Sequence, residues 1–66
     1  MKAYYVLAVL VNGLYSVQFG DYVRAVVLDE KRDSYRGQKS VIVKTTDNQQ
    51  DIDSAITALN VGVKHV

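Results

Sequence analysis

The sequence predicts an α+β fold of order ββαβα, a single small domain over residues 1–66 in which a three-stranded sheet of order 2-1-3 packs with two helices. Three observations predict it. Apolar residues alternate on either side of an Asn12-Gly13 pair. The period then changes from two to helical at Phe19-Gly20-Asp21-Tyr22, and Ile52, Ala55, Ile56 and Leu59 fall at i, i+3, i+4 and i+7.

The opening hairpin follows from Asn12-Gly13, because a type I′ turn needs positive φ at both central residues. With a two-residue turn, Val11 faces Leu14, Leu10 faces Tyr15, Ala8 faces Val17 and Val6 faces Phe19. One face then collects Tyr4, Val6, Ala8 and Leu10 with Tyr15, Val17 and Phe19. The other carries Tyr5, Leu7, Val9, Val11 and Leu14, relieved only by Ser16 and Gln18. A half-solvated hairpin would be polar on that side. The row Tyr5, Leu7, Val9, Val11 and Leu14 therefore needs a cover, either the second helix or another copy of the chain. It is the candidate protein interface, and with it comes the expectation of a homodimer. The apolar run after Lys2 has the length of a signal-peptide core, but no small-x-small site follows and its partner strand does, so it reads as a core strand. It is too short to span a membrane.

After Gly20, Asp21 is placed to cap a first helix running to about Arg36, with Gly37 as the C′ residue. Val23, Val26 and Val27 form its stripe with Tyr22 beside them, and Asp29–Arg32 and Asp33–Arg36 stand at i,i+3 spacing. The competing reading of residues 22–28 is a third strand, since valine is β-branched. Residues 40–45, Ser-Val-Ile-Val-Lys-Thr, read as a strand. Thr46 and Asp47 offer overlapping capping boxes with Gln49 and Gln50, opening a second helix over about 48–59 that Asn60 and Gly62 end. The tail 61–66 is apolar enough to fray or to add a strand to a sheet edge, including a partner's. A right-handed crossover through the first helix makes the third strand parallel to the second, with the first strand central.

At this length a chain sits near the lower limit for an unaided core, and oligomerisation is a usual remedy. The absence of cysteine removes disulfides, thiol catalysis and cysteine-type zinc sites. Net charge is +1, with residues 31–44 holding five cations against one carboxylate and residues 45–66 three carboxylates against one lysine. Asp47, Asp51 and Asp53 lack the glycine and terminal glutamate of a calcium loop and suit a helix start, so no metal is expected. Asp29, Glu30 and Asp33 stand among Lys31, Arg32 and Arg36 as solvated carboxylates rather than a tuned acid–base pair. His65 lacks partners, no serine occupies a nucleophile elbow, and the glycines form no phosphate loop. No catalytic residue and no cofactor are expected. Lys31, Arg32, Tyr35, Arg36 and Lys39 interleave cations with a ring, the minimal form of a sequence-tolerant nucleic-acid contact.

The junction Tyr15-Ser-Val-Gln-Phe-Gly-Asp-Tyr22, the helix end Asp29-Glu-Lys-Arg-Asp-Ser-Tyr-Arg36 and the closing 51–60 segment together resemble a group of short bacterial and prophage-type proteins of no assigned activity. The likeness spans most of the chain and implies a small cytoplasmic accessory protein. The opening hairpin alone resembles antitoxin-type domains related to HicB, from which the chain departs by entering a helix after Asp21. The expected function is a non-enzymatic protein-interaction module, self-associating through the second sheet face or an exposed edge. Weak nucleic-acid binding through the basic segment is the alternative, and a toxin–antitoxin or phage-encoded inhibitor role is a third.

Overall fold

A computed structural model describes residues 2–62; His65 and most of the tail on which an added strand was expected lie outside them. Strand β1 spans Tyr4–Val11 and β2 Leu14–Asp21, followed by helix α1 at Arg24–Ser34, strand β3 at Ser40–Thr45 and helix α2 at Gln49–Val61. The sheet order is β2-β1-β3, with β1 antiparallel to both neighbours, so β2 and β3 run parallel to each other across it. The hairpin turns on Asn12 at φ 52° and Gly13 at φ 85°, the positive pair that a type I′ turn demands.

The β1–β2 register agrees with expectation from the turn as far as Ala8–Val17, then shifts. Leu7, not Val6, faces Phe19, and Val6 faces Gly20. Gln18 is the extra residue of a β-bulge. Phe19 therefore leaves the face of Val6 and Ala8 and joins the other, where it packs against Leu7, Val9 and Val27. The bulge also sets Gly20 where the Tyr4 ring lies across it: a Cβ at position 20 would stand 2.5 Å from the tyrosine hydroxyl and 2.8 Å from its ring.

Val6, Leu7, Ala8 and Val9 are all buried, which requires cover on both faces because successive side chains alternate. On one face the cover is α1. Its Val27 closes over Leu7 and Val9, with Tyr5, Phe19, Tyr35 and Ile42 around them. On the other face α2 crosses from the end of β3 to the start of β2, burying Ile52 on the side of Val6 and Ala8.

Helix α1 is shorter at both ends than expected. Asp21 does not cap it: the carboxylate accepts from the N–H of Val23 at 2.8 Å, closing a turn before the helix, and the N-cap is Val23 with no side-chain bond. The C-cap is Tyr35, and Gly37 (φ 86°) sits one residue later in a turn closed by the Gln38 N–H donating to the Tyr35 carbonyl. Of the expected stripe only Val27 is buried; Val23 and Val26 are exposed. The Asp29–Arg32 pair forms at 3.0 Å, but Asp33 also bonds Arg32, at 3.3 Å, since Arg36 lies past the last helical turn. Helix α2 is capped by Asn48, whose side chain accepts from the Gln50 N–H at 2.8 Å. Thr46 instead accepts from the Asn48 N–H and donates to Asp51, so neither predicted capping box forms.

Candidate interaction surface

Both faces of the central strand β1 are covered by the chain's own helices, and the sheet also presents two edges. Their chemistry follows from hydrogen-bond parity. Val11 and Leu14 flank a two-residue turn and form a bonded pair, so the next pair, Leu10 and Tyr15, turns its main-chain groups away from the partner strand. On β2 those outward groups of Tyr15 are taken. Its N–H donates to Asn60 Oδ1 at 2.7 Å, and its carbonyl accepts from Asn60 Nδ2 at 3.2 Å. The carboxamide at the end of α2 thus stands where a fourth strand's main chain would. Directly after Val17 the bulge at Gln18 interrupts the ladder, and Gln18 itself bonds Ser16 at 2.9 Å. The β2 edge is closed at one point and bent at another.

The β3 edge has neither device. The Leu10 N–H donates to the Lys39 carbonyl at 2.9 Å, which fixes the parity of the ladder in this register. Val41, Val43 and Thr45 therefore bond to β1, while Ser40, Ile42 and Lys44 turn their N–H and C=O groups outward. None of these outward groups has a partner among the described residues. The strand is regular over its whole length, carries no proline, and has a single charge, Lys44, which is exposed. Ser40 also supplies the one buried side-chain polar atom without a partner among the described residues, its Oγ.

The predicted interface row is mostly internal. Leu7 is 0% and Val9 1% exposed beneath α1, so neither offers surface; only Val11 (45%) and Leu14 (50%), at the hairpin tip, stand out into solvent. The cover is α1 rather than α2 or another copy, and the motive for self-association through this row goes with it.

The basic residues are brought partly together. Lys31, Arg32, Tyr35 and Arg36 line an open groove of about 260 Å³ with Leu28, Gly37 and Gln38, at the end of α1. Lys39 lies apart, in a hollow of about 640 Å³ with Leu10, Tyr15 and Leu59 between the hairpin tip and α2. Arg32 is held by Asp29 and Asp33, and the Tyr35 ring is partly buried against the core.

The remaining polar side chains pair locally. Asp47 accepts from the Tyr22 hydroxyl at 2.8 Å, and Tyr22 meets Tyr4 edge to face with centroids 4.9 Å apart. The bond to Asp47, reinforced by that carboxylate's charge, holds the Tyr22 phenol above its ordinary value of 10.0. Asp53 accepts from Gln49 at 2.8 Å, and among the described residues no three potential metal ligands converge. No helix among them is long and apolar enough to cross a membrane.

Asn60 and the outward triplet of β3 are the residues that sequence reasoning missed. An asparagine near a helix end reads first as a terminator, and outward parity is defined only once the register is known.

No family model, curated protein or solved structure matches this chain.

Proposed function

We propose that this chain is a non-enzymatic protein-interaction module that binds by strand addition along β3. One observation carries it: of two sheet edges, β2 is closed by Asn60 and bent at Gln18, while β3 leaves Ser40, Ile42 and Lys44 with unpaired outward main-chain groups. Natural sheets guard the edges they do not use; β3 carries one such guard, the exposed Lys44, but no bulge, proline or covering side chain, and a regular open strand is a template for another. Strand addition draws affinity from main-chain bonds and needs no deep pocket. A cytoplasmic setting belongs to the same proposal and is supported by the resemblance to small accessory proteins.

The test is amide exchange by NMR with an added extended peptide of alternating apolar residues. Slowed exchange at Ile42 and Lys44 is expected, with Tyr15 unaffected because Asn60 already holds it. Ile42 and Lys44 amides that remain unprotected at saturating peptide and protein would overturn the proposal.

A second reading is favoured by the gathering of Lys31, Arg32, Tyr35 and Arg36 around one groove. There the chain would hold a nucleic-acid phosphate, with affinity falling as salt rises. Absence of a shift with single- or double-stranded oligonucleotides at low salt removes it.

A further inference from the structure

We infer that the strand added to β3 is the β3 of a second copy of this chain, antiparallel to the first about a two-fold axis at Ile42. This inference rests on the reading of β3 as the binding edge.

Parity restricts the choice of register. Outward residues must face outward residues, so Ser40, Ile42 and Lys44 can meet only the same set on another copy. With Ile42 opposite the partner's Ile42, every outward N–H and C=O of the triplet finds a mate on both strands. Lys44 then lies opposite the partner's Ser40, and Val41 opposite the partner's Val43. Apolar side chains meet apolar ones, and the single charge of the strand avoids its own copy. A slip by one step about the axis to centre on Val43 leaves Ser40 beyond the paired segment. A further step sets Lys44 against the partner's Lys44, and like charges directly opposite one another destabilise a sheet.

The other edge explains why association would stop at two. Pairing through β3 gives a continuous sheet of order β2-β1-β3-β3-β1-β2, whose outer strands are both β2. Each of those edges is closed at Tyr15 by Asn60 and bent by the bulge at Gln18. Both open edges are consumed at one isologous contact, which yields a closed dimer rather than a filament. The net charge of +1 adds little repulsion between copies. A foreign strand would gain the same main-chain bonds, but would lack the built-in match of Lys44 to Ser40.

Sedimentation equilibrium from micromolar to millimolar concentration tests the inference, with two variants. The full-length protein is expected to dimerise with rising concentration. Lys44→Pro removes an outward N–H without touching the bonds to β1 and replaces an exposed side chain, so it is expected to remain folded by circular dichroism and to be monomeric. Ile42→Cys, in a chain with no other cysteine, is expected to cross-link on oxidation, because the axis brings the two positions within disulfide reach. That readout is independent of whether Lys44→Pro folds. A dimer that survives Lys44→Pro and does not cross-link at position 42 overturns the inference. A monomer throughout, whose β3 amides are nonetheless protected by an added extended peptide, overturns self-pairing and keeps the edge reading. A monomer that also ignores the peptide overturns both.

Discussion

Asn60 closes both free main-chain groups of Tyr15, accepting from its N–H at 2.7 Å and donating to its carbonyl at 3.2 Å across 45 positions of sequence. One carboxamide therefore ties the end of α2 to the outer edge of the sheet and occupies the place of another strand. Its two bonds are half-buried, so an isosteric loss leaves polar main chain facing an apolar group. Asn60→Leu is expected to lower stability by about 1–3 kcal/mol in urea unfolding. It should also speed exchange of the Tyr15 amide. Asn60→Asp keeps the acceptor and loses the donor, and should fall between. Equal stability and unchanged exchange in Asn60→Leu would mean that the edge is not held in this way.

The second prediction concerns Gly20 and Tyr4. The bulge places Gly20 opposite Val6, and the Tyr4 ring fills the space that a side chain at position 20 would need. Gly20→Ala is expected to destabilise the fold by about 1–3 kcal/mol, the usual result of overfilling a packed site. Because the clash is with a side chain and not with backbone, Tyr4→Ala should remove most of that penalty. A double-mutant cycle with no coupling between positions 4 and 20 would separate the glycine from the ring.

These two contacts mark where the sequence was and was not legible. The Asn12-Gly13 turn, the strand order and the existence of both helices follow from local chemistry and period, and the structure has them. The bulge does not follow, because alternation along β2 is equally apolar whether Phe19 faces Val6 or Leu7. Asp21 has the composition of a helix cap, but its carboxylate closes a turn on Val23 and delays the helix. Two apolar faces on β1 announce two covers without saying which helix supplies which. The edge chemistry was least legible, since the outward set of Ser40, Ile42 and Lys44 depends on tertiary pairing that no local pattern encodes.

Tyr22 and Asp47 predict a pH response. The hydroxyl bond to Asp47 favours the protonated phenol, so the folded state holds that proton more tightly than the unfolded chain. The stabilising contribution is fully present below the ordinary tyrosine value of 10.0 and is lost as pH climbs through the raised folded value. The Tyr22 ring resonances are expected to titrate above that ordinary value, and Asp47→Ala should bring them down. The part of the alkaline loss of stability that Tyr22 contributes should shrink in that variant, because its folded and unfolded values come together. A Tyr22 titration unaffected by Asp47→Ala would contradict the assigned cause.

The final prediction separates core from surface along a single row. Tyr5, Leu7, Val9, Val11 and Leu14 alternate on one face of the hairpin, yet α1 divides them: Val27 seals Leu7 and Val9, and the hairpin tip extends past it. Leu7→Ala opens a cavity beneath α1 and is expected to cost about 2–5 kcal/mol. A domain this small holds roughly 3–5 kcal/mol in its core, so much of the population should unfold at room temperature. Leu14→Thr and Val11→Thr change half-exposed side chains outside the buried core and should stay within about 0.5 kcal/mol of the parent protein. The same two variants test the row as an interface. If they leave the sedimentation behaviour unchanged, association does not pass through the hairpin tip. If either one disperses an assembly, the binding surface lies there and not along β3.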